Sequence, residues 1–115
     1  MADVLRNEVA ITLGGAERTM RATFTAIRAI EAAVGKSLIA LISQVGANGD
    51  LSITDAATVI YHGLRGADDK RLTLEQVGDA VMEAGYSKVS IPVIEFLSSA
   101  LNGVSVGKPE PTPAQ

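Results

Sequence analysis

The hydrophobic period of this chain changes once, near residue 22, and that change governs what can be built from it. From Asn7 the period is two: Val9, Ile11 and Leu13 alternate with Glu8, Ala10 and Thr12. Gly14-Gly15 interrupts, and the alternation resumes from Ala16 to Arg21, with Glu17, Thr19 and Arg21 on one side and Arg18 and Met20 on the other. A Gly-Gly pair supplies the positive φ angles of a tight two-residue turn, so this segment reads as a β-hairpin. A lone hairpin is marginal in water, and its Val9, Ile11, Leu13 face must lie on something. Everything after it has the period of helices.

Five helices follow in this reading. Thr23 caps the first, which runs to about Val34 with Ile27, Ile30 and Val34 inward and Gly35 placed to end it. Ser37 caps the second, where Leu38, Leu41, Ile42 and Val45 share a face before Gly46-Ala47-Asn48-Gly49 breaks the chain. For the third, Ser52 with Asp55 resembles a capping box, Thr54 competes as the cap, and Ala56, Val59, Ile60 and Gly63 line up before a stop near Gly66. Asp68 to Arg71 form a charged loop. Thr73 and Gln76 fit a capping box that opens the fourth helix, with Leu74, Val77, Val81 and Ala84 inward, Glu75, Asp79 and Glu83 outward, and Gly85 at its end. The last helix is expected to start at Ser90, because Pro92 is tolerated in a first turn but not in an interior, and to end at Asn102.

On that helix Val93, Ile94, Phe96, Leu97 and Leu101 cover an arc of roughly 160°, wider than the ~100° stripe one core contact needs. Either this helix is central or part of its face binds a partner. The expected fold is therefore mainly α (α+β): a two-stranded antiparallel hairpin packed on a bundle of about five short helices. The expected domain spans residues 7–103, with residues 1–6 as an extension and the Pro-rich residues 104–115 as a disordered tail. A chain of 115 residues is long enough to support one core without disulfides or a structural metal.

Composition removes several kinds of chemistry. The absence of cysteine excludes a disulfide framework, a thiolate zinc site and a cysteine nucleophile. With a single histidine, sites built on two or more imidazoles are excluded too. The charge of −3 comes from residues 73–102, where Glu75, Asp79, Glu83 and Glu95 face only Lys88. That is not the basic footprint of a nucleic-acid binder. No apolar run approaches the roughly 20 residues of a membrane span, and the start MADVLRNE has no apolar signal core, so a soluble cytoplasmic protein is expected.

Four constellations stand out, and each has a plain structural explanation. Gly35-Lys36-Ser37 is the ending of a phosphate-binding loop, but Ile30 stands where the first glycine should be and a helix precedes it. Asn48-Gly49-Asp50 faintly resembles a calcium loop, yet Gln44 and Gly46 occupy the positions of the carboxylates. His62 has Thr58, Val59, Arg65 and Gly66 as helical neighbours, with no serine or acid to make it catalytic. Glu31 lies at the edge of its helix's apolar stripe, within reach of Arg28, or of Arg18 or Arg21 from the hairpin. No catalytic, cofactor-binding or metal-ligating residues are expected.

The stretch NEVAITLGGAERTMRATFTAIRAIEAAVGKSLIALI resembles the small tail proteins of gene transfer agents and related siphophages. These have been labelled tail tube proteins in some classifications and tail assembly chaperones in others. Leu51-Ser52, Ile60, Gly63-Leu64-Arg65, Leu74 to Gly78, Glu83-Ala84-Gly85, Phe96-Leu97 and Leu101-Asn102-Gly103 continue the likeness in order, over residues 7–103. The resemblance implies a non-enzymatic role in phage-like tail morphogenesis in the bacterial host cytoplasm. As an assembly chaperone the chain would bind the tape measure protein or the tail tube protein. The alternative is a structural tube component retained in the particle. A homo-oligomer, and a longer frameshifted product as in some tail chaperones, are left open. Val93, Phe96 and Leu97, with Tyr61 on the outer side of its helix, are the expected border of the partner surface; otherwise they complete the core.

Overall fold

The computed structural model describes residues 8–48 and 51–103. The N-terminal extension, the Pro-rich tail and the Gly49-Asp50 part of the calcium-like turn lie outside the described residues. Among the described residues there are two strands, β1 (Glu8–Leu13) and β2 (Ala16–Arg21), and five helices: α1 (Phe24–Val34), α2 (Leu38–Asn48), α3 (Ile53–Gly66), α4 (Leu74–Ala84) and α5 (Tyr86–Asn102). The mainly α architecture with an N-terminal antiparallel hairpin is as expected.

β1 and β2 pair from Glu8 with Arg21 to Leu13 with Ala16. Gly14 and Gly15 adopt φ of 58° and 79°, the left-handed values a tight primed turn demands. The register puts Arg18 opposite Ile11 and Met20 opposite Val9, so Arg18 shares the inward face with the buried Ile11, Leu13 and Met20.

Side-chain caps set most of the helix starts. Thr23 Oγ1 accepts from the Ala26 amide at 3.0 Å and Ser52 Oγ from that of Asp55 at 3.0 Å, so Ser52, not Thr54, caps α3. Thr73 and Gln76 form a reciprocal capping box, with bonds of 2.9 and 3.1 Å. Glu31 finds a backbone partner instead of the expected arginine. Its Oε2 accepts from the Leu38 amide at 2.8 Å, beside Ser37 Oγ on the Ala40 amide at 3.1 Å. One carboxylate from α1 thus caps the start of α2, where the helix dipole favours negative charge.

α3 is the central element, packing against β2, α1, α4 and α5. It buries Ala56, Ala57, Val59, Ile60 and Leu64. Its glycines explain how closely its neighbours approach. A Cβ on Gly63 would lie 3.1 Å from the Met20 Cβ and the Phe96 ring, and one on Gly66 would lie 2.2 Å from the Arg21 carbonyl oxygen.

α5 starts four residues before Ser90, and Pro92 is inside it. Gly85, at φ 94°, turns the chain directly out of α4. Tyr86 is then held by its hydroxyl, which accepts from the Leu51 amide at 2.7 Å. The longer helix brings Val89 into register with Val93, Phe96 and Leu97, all buried. Packing of that stripe offsets the backbone bond that Pro92 cannot donate. The broad apolar arc is therefore divided: one side completes the core, while Ile91, Ile94 and Leu101 are exposed. Leu74, expected inward, is also exposed and lines a groove between α3 and α4 instead of the core.

A polar clamp closes the hairpin onto the loop after α3. Arg18 Nη1 donates to Asp69 Oδ2 at 2.9 Å, and Asp69 also accepts from the Arg71 guanidinium through both carboxylate oxygens at 3.0 Å. Hydrogen bonds from Arg71, then from Arg18, hold the Asp69 pKa down at about 2 despite partial burial, which opposes the shift. Because folding lowers this pKa, the clamp stabilises fully above the unfolded value near pH 4 and is lost as the pH falls towards 2. After discounting for solvent, this is worth about 1 kcal/mol. Urea titrations at pH 5 and pH 2.5 should show Asp69→Asn costing more at pH 5. An equal cost at both would remove the clamp's electrostatic role.

Candidate functional site

Of the four residues expected at a partner surface, three are in the core. Val93, Phe96 and Leu97 are each 1% exposed or less, so in this fold they hold α5 against the rest of the molecule. Their helical spacing identified a real apolar face, but periodicity does not say which half of a wide arc faces inward. Tyr61 is half-buried on α3. Its ring lies edge-on to His62 at 4.9 Å between centroids, with the Arg65 guanidinium 5.5 Å above it.

His62 is kept below its usual pKa by burial and then by the charge of Arg65. It lines a cleft of about 610 Å³ with Arg21, Arg65, Asp68 and Lys70, where the end of α3 meets the start of α1. Gly35-Lys36-Ser37 is fully occupied locally: Gly35 ends α1 at φ 72°, Lys36 Nζ donates to Gln44 Oε1, and Ser37 caps α2. Among the described residues no group of three His, Asp or Glu side chains is placed to hold a metal ion. No helix there is long and apolar enough to cross a membrane.

The exposed apolar residues have a definite arrangement. Leu74 and Met82, 45% and 65% exposed, stand on one face of α4 with Gly78 between them at i+4 spacing. With Ile53 and Ala57 of α3 they line a mainly apolar groove of about 300 Å³, whose rim carries Glu75 and Asp79. Neither acid is in an ion pair among the described residues. A Cβ on Gly78 would meet nothing within 4 Å, so this glycine, unlike Gly63 and Gly66, is not required by packing within the chain. The Leu74, Gly78, Met82 row is readable in the sequence as a second i, i+4, i+8 series beside the core stripe Val77 and Val81.

A second exposed feature lies on α1. Phe24 is 78% exposed, with the Arg28 guanidinium 5.8 Å from its ring centroid. Ala32 continues the same exposed row one turn further on.

The described residues form a small, mainly helical domain with exposed apolar rows on α1 and α4, the kind of surface that marks contact sites for other molecules. The chain belongs to the family described as phage tail tube protein, GTA-gp10, whose model matches residues 6–103. No curated protein and no solved structure matches it. The family match agrees with the expected gene transfer agent tail family and extends over every described element.

Proposed function

We propose that this chain is a non-enzymatic component of a phage-like tail, acting through contacts with other tail proteins and retained in the particle. The observation that carries this reading is the family match across residues 6–103, to a family described as tail tube protein. The exposed rows on α1 and α4 support it as surfaces for such contacts.

One observation favours a second reading, that of an assembly chaperone that binds the tape measure protein or tube subunits in the host cytoplasm and leaves before the tail is finished. A tube wall is most simply built by continuing a sheet from subunit to subunit, and the sheet among the described residues has two strands. Quantitative mass spectrometry of purified particles separates the two readings. A tail component is present in many copies per particle; a chain found in the producing cells but missing from particles is the chaperone.

A further inference from the structure

We propose that the α3–α4 groove is a docking site for the Phe24–Arg28 ridge of a second copy of this chain. The two surfaces are complementary in charge, and each carries exposed apolar side chains. The groove offers an apolar floor with two unpaired acids, Glu75 and Asp79, at its rim. The ridge offers an exposed phenyl ring with an arginine beside it. Phe24, Arg28 and Ala32 form an i±4 row on α1, and Leu74, Gly78 and Met82 form one on α4. Rows of that kind interdigitate when helices cross at about −50°, with axes roughly 8–10 Å apart at the crossing. Gly78 lies at the middle of its row, where the absent side chain lets a second helix approach.

A glycine inside a helix carries a propensity cost, and no neighbour within this chain requires one at position 78. A helix from outside the chain does. The same molecule cannot satisfy its own groove, because α1 and α4 both pack on α3 and not appreciably on each other. The contact joins two different patches, so unless two copies exchange it reciprocally across a two-fold axis it propagates head to tail into rings or open filaments. It goes beyond membership in a tail and uses helices instead of sheet continuation.

The test is sedimentation velocity on the purified full chain over a concentration series, with Phe24→Ser and Gly78→Leu as variants and circular dichroism to verify folding. The wild type should form a concentration-dependent series of species, weakened by added salt, and each variant alone should be at least 10-fold weaker in association. Mixed one to one, the variants should form a dimer that stops at two, since one keeps the groove and the other the ridge. Gly78→Ala should melt at a higher temperature than the wild type and yet associate more weakly. The proposal is overturned if the wild type stays monomeric up to about 1 mM, if both variants associate as the wild type does, or if their mixture gains nothing. A wild type that is monomeric alone but loses capture of another tail protein through Gly78→Leu also overturns it, and gives the groove to that partner. Because the measurement uses the isolated chain, its failure leaves the tail-component reading intact, and absence of the chain from particles leaves the contact intact.

Discussion

Replacing Phe96 with alanine is expected to remove about 4 kcal/mol of folding stability, within the 3–5 kcal/mol seen when a buried phenylalanine is truncated. The ring is fully buried and lies against the part of α3 where Gly63 brings the helices together. The space it leaves is bordered by a glycine, which has no side chain to move in. Met20, flexible and near the same point of Gly63, can fill it only in part. With a urea slope of roughly 1.5 kcal/mol per molar for a chain of this size, the midpoint should fall by about 2–3 M. The same variant distinguishes core from surface: its folded fraction should associate as the wild type does. A cost below about 1 kcal/mol would mean that α5 is not seated as described.

Gly66→Ala is expected to cost about 3 kcal/mol, at the upper end of overpacking. The obstacle is backbone: the new Cβ would lie 2.2 Å from the Arg21 carbonyl oxygen and 3.2 Å from the Ala26 Cβ. Relief requires the corner between β2 and α1 to lift from α3, with no rotamer change available in its place. The control is the identical substitution at Gly78, where space is open and the helix gains about 1 kcal/mol. Thermal melts of the two variants should therefore move in opposite directions. If both rise, the approach of α3 to the hairpin is looser than described.

These substitutions also mark how far the sequence could be read. Elements fixed by local chemistry were legible: the Gly-Gly turn, the Thr23, Ser37 and Ser52 caps and the Thr73–Gln76 box each depend on residues within a few positions of one another. What depended on distant partners was not. The start of α5 was misplaced because the support for Tyr86 comes from the Leu51 amide, 35 residues away, while the one local signal, Pro92, pointed to a later start. Glu31 was recognised as unusual, but its partner is a backbone amide past a glycine turn and not an arginine. Arg18 finds Asp69 across 51 residues, a pairing that no periodicity encodes.

The candidate surface shows the same division. Val93, Phe96 and Leu97 were chosen for being too many apolar residues on one helix. Which of these face α3 depends on the placement of α5, and that is a tertiary property. The α4 row is hidden in the sequence because Leu74 also fits the core stripe of Val77 and Val81, and Gly78 has no side chain to mark a face. Glycines at 63, 66 and 78 are indistinguishable in sequence; only their surroundings separate two required by internal packing from one that is not.

The placement of β1 bears on how the chain is made. The inward side of β1, with Ile11 and Leu13, packs against α4 and α5, which are synthesised well after it, so this strand is sheltered late. Folding must wait for contacts spanning most of the chain, which slows it and prolongs exposure of sticky intermediates. A nascent chain halted before α5 would have β2 seated on α3 but the inward side of β1 still uncovered.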